Sequence, residues 1–288
     1  MKSTSVLIVG CGDLGIRTGT RLPEAGWSVI GIRRDIAQLP KGITGHRADY
    51  TQPGSLGFVA GLQPDYVLLT LTPVDRSVEG YEAGFHVAMA NLLDGLGHHR
   101  PRHIIMSSST RVFAETCGGW VDEDSPLTET DPLAQPIIAA ERALLDSGHS
   151  ASVVRFAGIY GSPGGRLVSR ISRGELCSPE PVIYSNRIHR EDCAGFLHHL
   201  ILQKQGGDTP APLYIGSDDL PASRYEVESW LARKLGVAVS VEVAPAALAG
   251  GHNRPGHRRC RNGALHASGY RLEYPDYRSG YSALLESP

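Results

Sequence analysis

Three glycines stand in G-x-G-x-x-G spacing at Gly10, Gly12 and Gly15, directly after the apolar run Val6–Val9. At the junction of a strand and a helix, that spacing suits the holding of a pyrophosphate. The first glycine permits a tight turn, the second lets a phosphate approach the backbone, and the third lets helix and strand pack closely. With Asp13 and Leu14 between the last two, the turn presents free N–H groups at a helix N-terminus to the phosphate charge. The next strand closes on Arg33-Arg34, about 20 residues beyond the glycines, where a site for NAD carries an Asp or Glu on the ribose 2′-hydroxyl. A guanidinium there favours a 2′-phosphate through charge-assisted, bidentate contacts. The pattern points to NADP, with NAD the less favoured cofactor.

The elements that must position these groups follow from the spacing of apolar residues. Short β-rich runs occur at Ser5–Gly10, Trp27–Ile32, Thr44–Ala48, Tyr66–Thr70, His103–Ser107 and Ser152–Phe156, most of them apolar throughout, as in strands covered on both faces. Helical patterns lie between several of them, at Asp13–Ala25, Ser77–Leu96 and Pro132–Ser147. Alternating strands and helices predict an α/β fold with a doubly wound parallel Rossmann sheet. After Tyr160 the chain becomes rich in Gly, Pro and Arg. A helix at Glu191–Gln203 and a strand at Leu213–Ile215 are expected to rejoin the sheet. Residues 1–160, with 191–215 returning, read as the NADP-binding domain. Residues 161–288 read as a smaller, discontinuous substrate or cap domain, with a helix at Ser223–Leu235 and a strand at Val237–Val243.

Bulk composition narrows the partners. With a formal net charge of −2, nothing attracts nucleic acid or an anionic membrane. No apolar run approaches the roughly 20 residues of a membrane span, and no signal-peptide pattern precedes the first strand. The five cysteines are odd in number and far apart, without a C-x-x-C pair, so a reducing cytoplasm is the expected compartment. His252, His257 and His266 lack metal-ligand spacing, and no metal site is expected. The expected partner is a small molecule; the oligomeric state is left open.

Several further segments bear on the fold together: A-D-Y at Ala48–Tyr50, M-S-S-S-T-R-V-F at Met106–Phe113, W-V-D-E-D-S-P at Trp120–Pro126, R-F-A-G-I-Y-G at Arg155–Gly161, N-R-I-H-R-E-D at Asn186–Asp192, and the tail from Arg261. In order and spacing the chain resembles the extended short-chain dehydrogenase/reductase family of nucleotide-sugar epimerases and dehydratases, over nearly its whole length. The resemblance implies that Asp49 accepts a hydrogen bond from the adenine amino group. It also implies that Tyr50, Thr70, Leu71, Thr72 and Ser107 border the cofactor. Ser109 falls at the catalytic serine that polarises the substrate oxygen, with Thr110 its neighbour should the register slip by one. A hydroxyl at Ser109 equally suits a strand end.

The family's general acid is the tyrosine of a Tyr-x-x-x-Lys pair. Counting back from Ala139-Ala140-Glu141, those positions fall on Leu133 and Ile137. No tyrosine occurs between Tyr81 and Tyr160 and no lysine between Lys41 and Lys204, so no shift of register restores the pair. His86, on the helix that borders the nicotinamide in this fold, is a substitute acid by type, although a lone helical histidine also serves structure. Arg155, Tyr160 and Arg187 are candidate substrate contacts, and the arginine-rich middle suits an anionic ligand. Two functions remain open at this stage. One is an NADP-dependent oxidoreductase, epimerase or dehydratase acting on a small polar, nucleotide-linked substrate by a non-standard acid–base arrangement. The other is a non-catalytic NADP-binding sensor.

Overall fold

The computed structural model describes residues 3–22, 26–237 and 256–286. Its centre is a seven-stranded sheet: β1 (Ser5–Val9), β2 (Ser28–Arg33), β3 (Ile43–Arg47), β4 (Tyr66–Leu69), β5 (His103–Ser109), β6 (Ala151–Phe156) and β7 (Leu213–Gly216). The spatial order is β7-β6-β5-β4-β1-β2-β3. The four pairings that run from β3 to β5 are all parallel, with Val9 opposite both Ile32 and Leu69. Strand order reverses beside β1, the point at which open α/β sheets bind ligands. Every residue of β1 and β4 is buried, which is why these strands read as continuous apolar runs rather than alternating ones. The doubly wound α/β fold expected from the sequence is the fold observed.

The chain divides into two compact units: residues 1–112, 127–155 and 193–214, and residues 113–126, 156–192 and 215–288. The sequence expectation drew its boundary at Tyr160. The division falls instead after Arg155, and segment 113–126 belongs with the second unit. A strand pairing of Trp120–Val121 with Arg259–Cys260 holds that segment there, a tie between residues 139 positions apart that no local pattern announces.

In the first unit the expected helices are shorter than their apolar patterns. Helix α1 spans Asp13–Gly19; residues 23–25 of the expected Asp13–Ala25 lie outside the described residues. The Ser77–Leu96 pattern is three segments: α2 (Val78–Tyr81), a π-helical stretch Glu82–Val87, and α3 (Ala88–Leu96). Ser77 caps the first, its hydroxyl accepting from the Gly80 N–H at 2.9 Å. Gly84 lies within the π stretch against the Thr72–Pro73 backbone, where a Cβ would sit 2.4 Å from the Thr72 carbonyl oxygen. Helix α4 spans Gln135–Leu145 rather than Pro132–Ser147, because the Asp131 side chain takes the Leu133 N–H and holds residues 132–134 in a turn.

Two buried polar groups anchor this unit. Glu141 of α4 is 1 % exposed, accepts from the Ser108 hydroxyl of β5, and takes Nε and Nη2 of Arg155 at 3.2 and 2.8 Å. His103 is 1 % exposed, between the hydroxyls of Ser150 and Ser152 at 2.9 Å each.

The second unit has its own core, in which Ile171, Val227, Leu231, Tyr277 and Tyr281 bring together helices Arg166–Ser172, Arg224–Lys234 and Tyr277–Glu286. Asp192, fully buried, accepts the N–H groups of Glu273 and Tyr274 at 2.7 and 2.9 Å and the Tyr270 hydroxyl at 3.2 Å. It ties the tail to the start of helix Arg190–Gln205. The expected strand Val237–Val243 lies, from residue 238, outside the described residues, as does His252.

Burial, with the nearby Lys204 charge second, lowers the His103 pKa from 6.5 to about 4. A histidine kept neutral in the native state lets the unfolded chain bind the extra proton, so stability is full above pH 6.5 and falls as pH drops from there towards 4. Urea titrations across that window should lose up to about 3 kcal/mol, and His103→Gln should flatten the slope. An unchanged slope in the variant would assign the loss to other groups.

Candidate functional site

The turn after β1 is built so that little besides glycine fits its first position. Gly10 has φ +78°, and a Cβ there would meet the Thr70 carbonyl oxygen at 2.7 Å. Its N–H and that of Cys11 both donate to the Ile32 carbonyl, at 3.1 and 2.9 Å, and its own carbonyl accepts the Thr70 hydroxyl at 2.8 Å. A Cβ on Gly15 would come within 2.9 Å of Ile8 Cγ2, so α1 rests directly on β1. Gly12 is the N-cap of α1 and no side chain caps it, which leaves the first-turn N–H groups for a ligand anion. Asp13 pairs with Arg17 at 3.1 Å, and the Leu14 carbonyl accepts the Thr18 hydroxyl at 2.9 Å.

Beside the turn lies a groove of about 300 Å³, lined by residues 10–12, 33–35, 49–51 and 72–74. The four segments follow β1, β2, β3 and β4, the carboxyl ends at which this fold class binds ligands. Arg33 is half-buried, donating to the Cys11 carbonyl at 3.2 Å and to Gln38 Oε1 at 2.7 Å. Arg34 is exposed and has no side-chain partner among the described residues. Asp35, absent from the sequence reading, also lines the groove. Its carboxylate is engaged by the Ala37 N–H at 3.1 Å and by Gln38 Nε2 at 2.9 Å.

Asp49 Oδ1 accepts the Thr51 N–H and hydroxyl at 3.1 and 2.7 Å, fixing the loop after β3. The Tyr50 hydroxyl donates to the Thr72 carbonyl at 3.4 Å. Behind this loop stands Asn91 of α3, 8 % exposed, whose amide donates to the carbonyls of Tyr50 and Gln52 at 2.9 and 3.0 Å. The sequence reading missed it. An amide within the apolar stretch Val87–Leu93 was the available signal, since a buried amide needs partners.

Thr70 and Leu71, expected to border the cofactor, are 7 % and 5 % exposed. Thr70 supports the turn from behind and Leu71 belongs to the core, because β4 delivers its next residue, Thr72, to the groove. Ser107 is half-buried in β5. Ser109 Oγ accepts the Arg111 N–H at 3.1 Å, and Thr110 opens the short 3₁₀ turn Thr110–Val112. The bond at Ser109 uses a lone pair and leaves the hydroxyl proton for another acceptor. The His86 Nδ1 faces Glu82 Oε1 at 2.6 Å, one turn back on the π stretch. Leu133 and Ile137 stand before and inside α4, Ile137 being 2 % exposed.

The candidate substrate contacts divide. Arg155 is buried, with its guanidinium held by Glu141; that pairing withdraws it from ligand contact, a correction to the sequence expectation. In the second unit, Tyr160 and Arg187 line a cavity of about 590 Å³ with residues 158–168, Asn186 and Tyr281. Arg187 donates to Ser185 Oγ at 2.7 Å. The Tyr160 ring lies 4.5 Å from that of Tyr281, and burial pushes its phenol pKa up. Nearby Asp218, 2 % exposed, is raised to about 8, by burial against the opposing Arg187 charge.

Among the described residues no cluster of three His, Cys, Asp or Glu could hold a metal. His257 Nδ1 accepts the Tyr184 N–H at 3.0 Å, and His266 pairs with Asp219 at 2.6 Å. No helix among the described residues is long and apolar enough to cross a membrane.

No protein-family profile and no curated protein sequence matches the chain. Among solved structures, a Methylobacillus flagellatus protein described as a candidate NAD-dependent epimerase/dehydratase is 33 % identical, with 99 % of this chain and 98 % of that one covered and a TM-score of 0.82. A human epimerase family protein solved with NADPH shares the fold at 18 % identity and TM-score 0.75, over 99 % of this chain and all of that one. UDP-glucose 4-epimerase of Thermotoga maritima, solved with UDP-glucose, does so at 14 % identity and TM-score 0.78, over 98 % of each chain.

Asn91→Ala should remove both amide bonds to the 50–52 loop, and those carbonyls then rely on water. The expected outcome is faster amide hydrogen exchange at residues 49–52, with a global loss of about 1–3 kcal/mol. Unchanged exchange in that loop would show that Asn91 does not hold it.

Proposed function

The chain belongs to the NAD-dependent epimerase/dehydratase family, and within it we propose an NADP-dependent enzyme acting on a small polar, anionic substrate, nucleotide-linked sugars being the favoured class. The observation that carries the cofactor preference is Arg33-Arg34 at the end of β2, both lining the groove beside the glycine turn. The first-turn N–H groups of α1, left open by Gly12, would hold the pyrophosphate. The free Arg34 would meet the 2′-phosphate while Arg33 keeps its bond to the turn. Asp35 does not oppose this strongly, because its carboxylate is already satisfied by the 3₁₀ turn it caps. Asp49 offers its remaining oxygen to the adenine amino group.

When bound, the nicotinamide supplies or accepts hydride. The protein's part is to orient and polarise the substrate oxygen, for which Ser109 keeps its hydroxyl proton available. The cavity of the second unit, with Arg187 in its wall and Arg166 exposed at it, offers charge to an anionic portion of the substrate. One observation favours a second reading, a non-catalytic NADP sensor: Leu133 and Ile137 bring neither proton nor charge to the positions of the usual acid pair.

Calorimetry should give NADPH at least tenfold tighter binding than NADH, about 1.4 kcal/mol. Arg34→Ala should remove most of that difference without disturbing the fold. Equal affinities in the wild type would exclude the NADP assignment.

Ser109→Ala should lower turnover on any substrate found among sugar nucleotides and small carbonyls, leaving NADPH affinity within about twofold. Unchanged turnover would remove Ser109 from the chemistry. Tight NADPH binding with no turnover on any such substrate would favour the sensor.

A further inference from the structure

The loss of the tyrosine–lysine pair leaves the enzyme reading without a proton carrier, and the first unit contains a phenol beside a fixed cation. Tyr81 ends α2 where the chain passes into the π-helical stretch, an irregularity frequent at functional sites. Its ring stacks on Phe85 at 5.8 Å, and the Arg111 guanidinium lies 5.8 Å from its centroid, within cation–π range. Tyr81 is half-buried, and its hydroxyl has no protein partner among the described residues.

Arg111 is held in place. Asp131 accepts from its Nη2 at 3.0 Å, and its other oxygen lies 2.8 Å from Nε in the same ion pair. The same carboxylate accepts the Leu133 N–H, so the cation is anchored at the turn leading into α4, beside the position where the family's tyrosine would stand. The Arg111 backbone N–H is the donor to Ser109 Oγ. A polarising hydroxyl, a cation and the segment bearing the phenol are thereby linked through a few residues.

Backbone contacts of the neighbours of Tyr81 tie this segment to the groove wall. Val74, in the groove wall, donates its N–H to the carbonyl of Gly80, the neighbour of Tyr81, at 3.0 Å. Gly84 presses on the backbone of Thr72 and Pro73, also in that wall. His86 is the weaker candidate, being exposed and paired with Glu82.

We propose that Tyr81 is the catalytic acid and base of this enzyme, and that Arg111 supplies the positive charge the absent lysine would have given. The inference rests on the enzyme reading above. In the carbonyl-reducing direction the Tyr81 O–H bond breaks, an O–H bond forms on the substrate oxygen, and the electron pair stays on the phenolate, over whose ring the Arg111 guanidinium lies. The reverse direction returns that proton to Tyr81. Hydride comes from or goes to the nicotinamide, so the protein group moves only a proton. The charged group shown at the Tyr81 ring is Arg111, itself paired with Asp131, while Glu82 and His86 on its own segment pair with each other.

The test is chemical footprinting of the intact protein with N-acetylimidazole, reading Tyr81 acetylation by mass spectrometry, with NADPH affinity measured by calorimetry on the same preparation. NADPH should slow Tyr81 acetylation at least fivefold, whereas adenosine 2′,5′-bisphosphate, which fills only the adenosine half of the groove, should not. Tyr81→Phe should keep NADPH affinity and lower turnover at least a hundredfold. Arg111→Met should lower turnover with the same unchanged affinity, and Arg111→Lys should restore part of it. Saturating NADPH without protection, equal protection by the bisphosphate, or full turnover in Tyr81→Phe would each overturn the assignment. Failure of NADPH to bind would remove the cofactor reading and this inference together, and the calorimetric arm separates that outcome from the others.

Discussion

At Gly10 the backbone passes so close to the end of β4 that the Thr70 carbonyl oxygen would stand 2.7 Å from any Cβ. Three hydrogen bonds close that contact: the N–H groups of Gly10 and Cys11 on the Ile32 carbonyl, and the Thr70 hydroxyl on the Gly10 carbonyl. The turn is therefore locked to both strands that flank β1, and α1 starts directly after it at Asp13, with Gly12 as its N-cap. A groove able to take a dinucleotide phosphate follows from this one close approach, because the loops after β2, β3 and β4 can only end around it. Substitution at Gly10 would meet both a steric and a conformational barrier, the latter about 1–3 kcal/mol for a non-glycine residue held at strained φ.

Around that turn, polar side chains hold the loops in place. Asn91 satisfies two loop carbonyls, Asp35 and Asp49 fold their own loops by accepting nearby N–H groups, and Arg33 spans from the turn to Gln38. Asn91 is the buried member of the set, and its amide left without partners would cost about 1–3 kcal/mol. The buried Glu141–Arg155 pair serves the sheet in the same way. It also shows why an arginine in a recognisable segment need not face a ligand: two contacts from one carboxylate, together with burial, consume its charge.

Local patterns carried the sheet and the glycine turn, since buried parallel strands are apolar throughout and G-x-G-x-x-G has one efficient physical use. The same patterns overran the helices. Apolar periodicity does not register that Asp131 captures the Leu133 N–H, or that Gly84 needs an extra residue in its turn to sit against Thr72. Long-range ties were invisible for a different reason: the pairing of Trp120–Val121 with Arg259–Cys260 depends on residues with no shared local signal. Arg33, Arg34, Asp49, Tyr50 and Thr72, singled out in the sequence, line the groove. Thr70, Leu71 and Arg155 were misjudged because type and position along a strand do not reveal which side chain turns inward. Tyr81 and Arg111 passed unnoticed because the cation and the phenol meet only in three dimensions.

The central claim is that the groove beside Gly10 holds an NADP molecule with its 2′-phosphate on the β2 arginines. A crystal structure of the protein soaked with NADPH tests it most directly. The account predicts pyrophosphate density over residues 10–12 and the 2′-phosphate within hydrogen-bonding distance of Arg34 or Arg33. Density for the dinucleotide with its ribose against Asp35 and its 2′-phosphate turned to solvent, or no density in the groove at saturating NADPH, would contradict it.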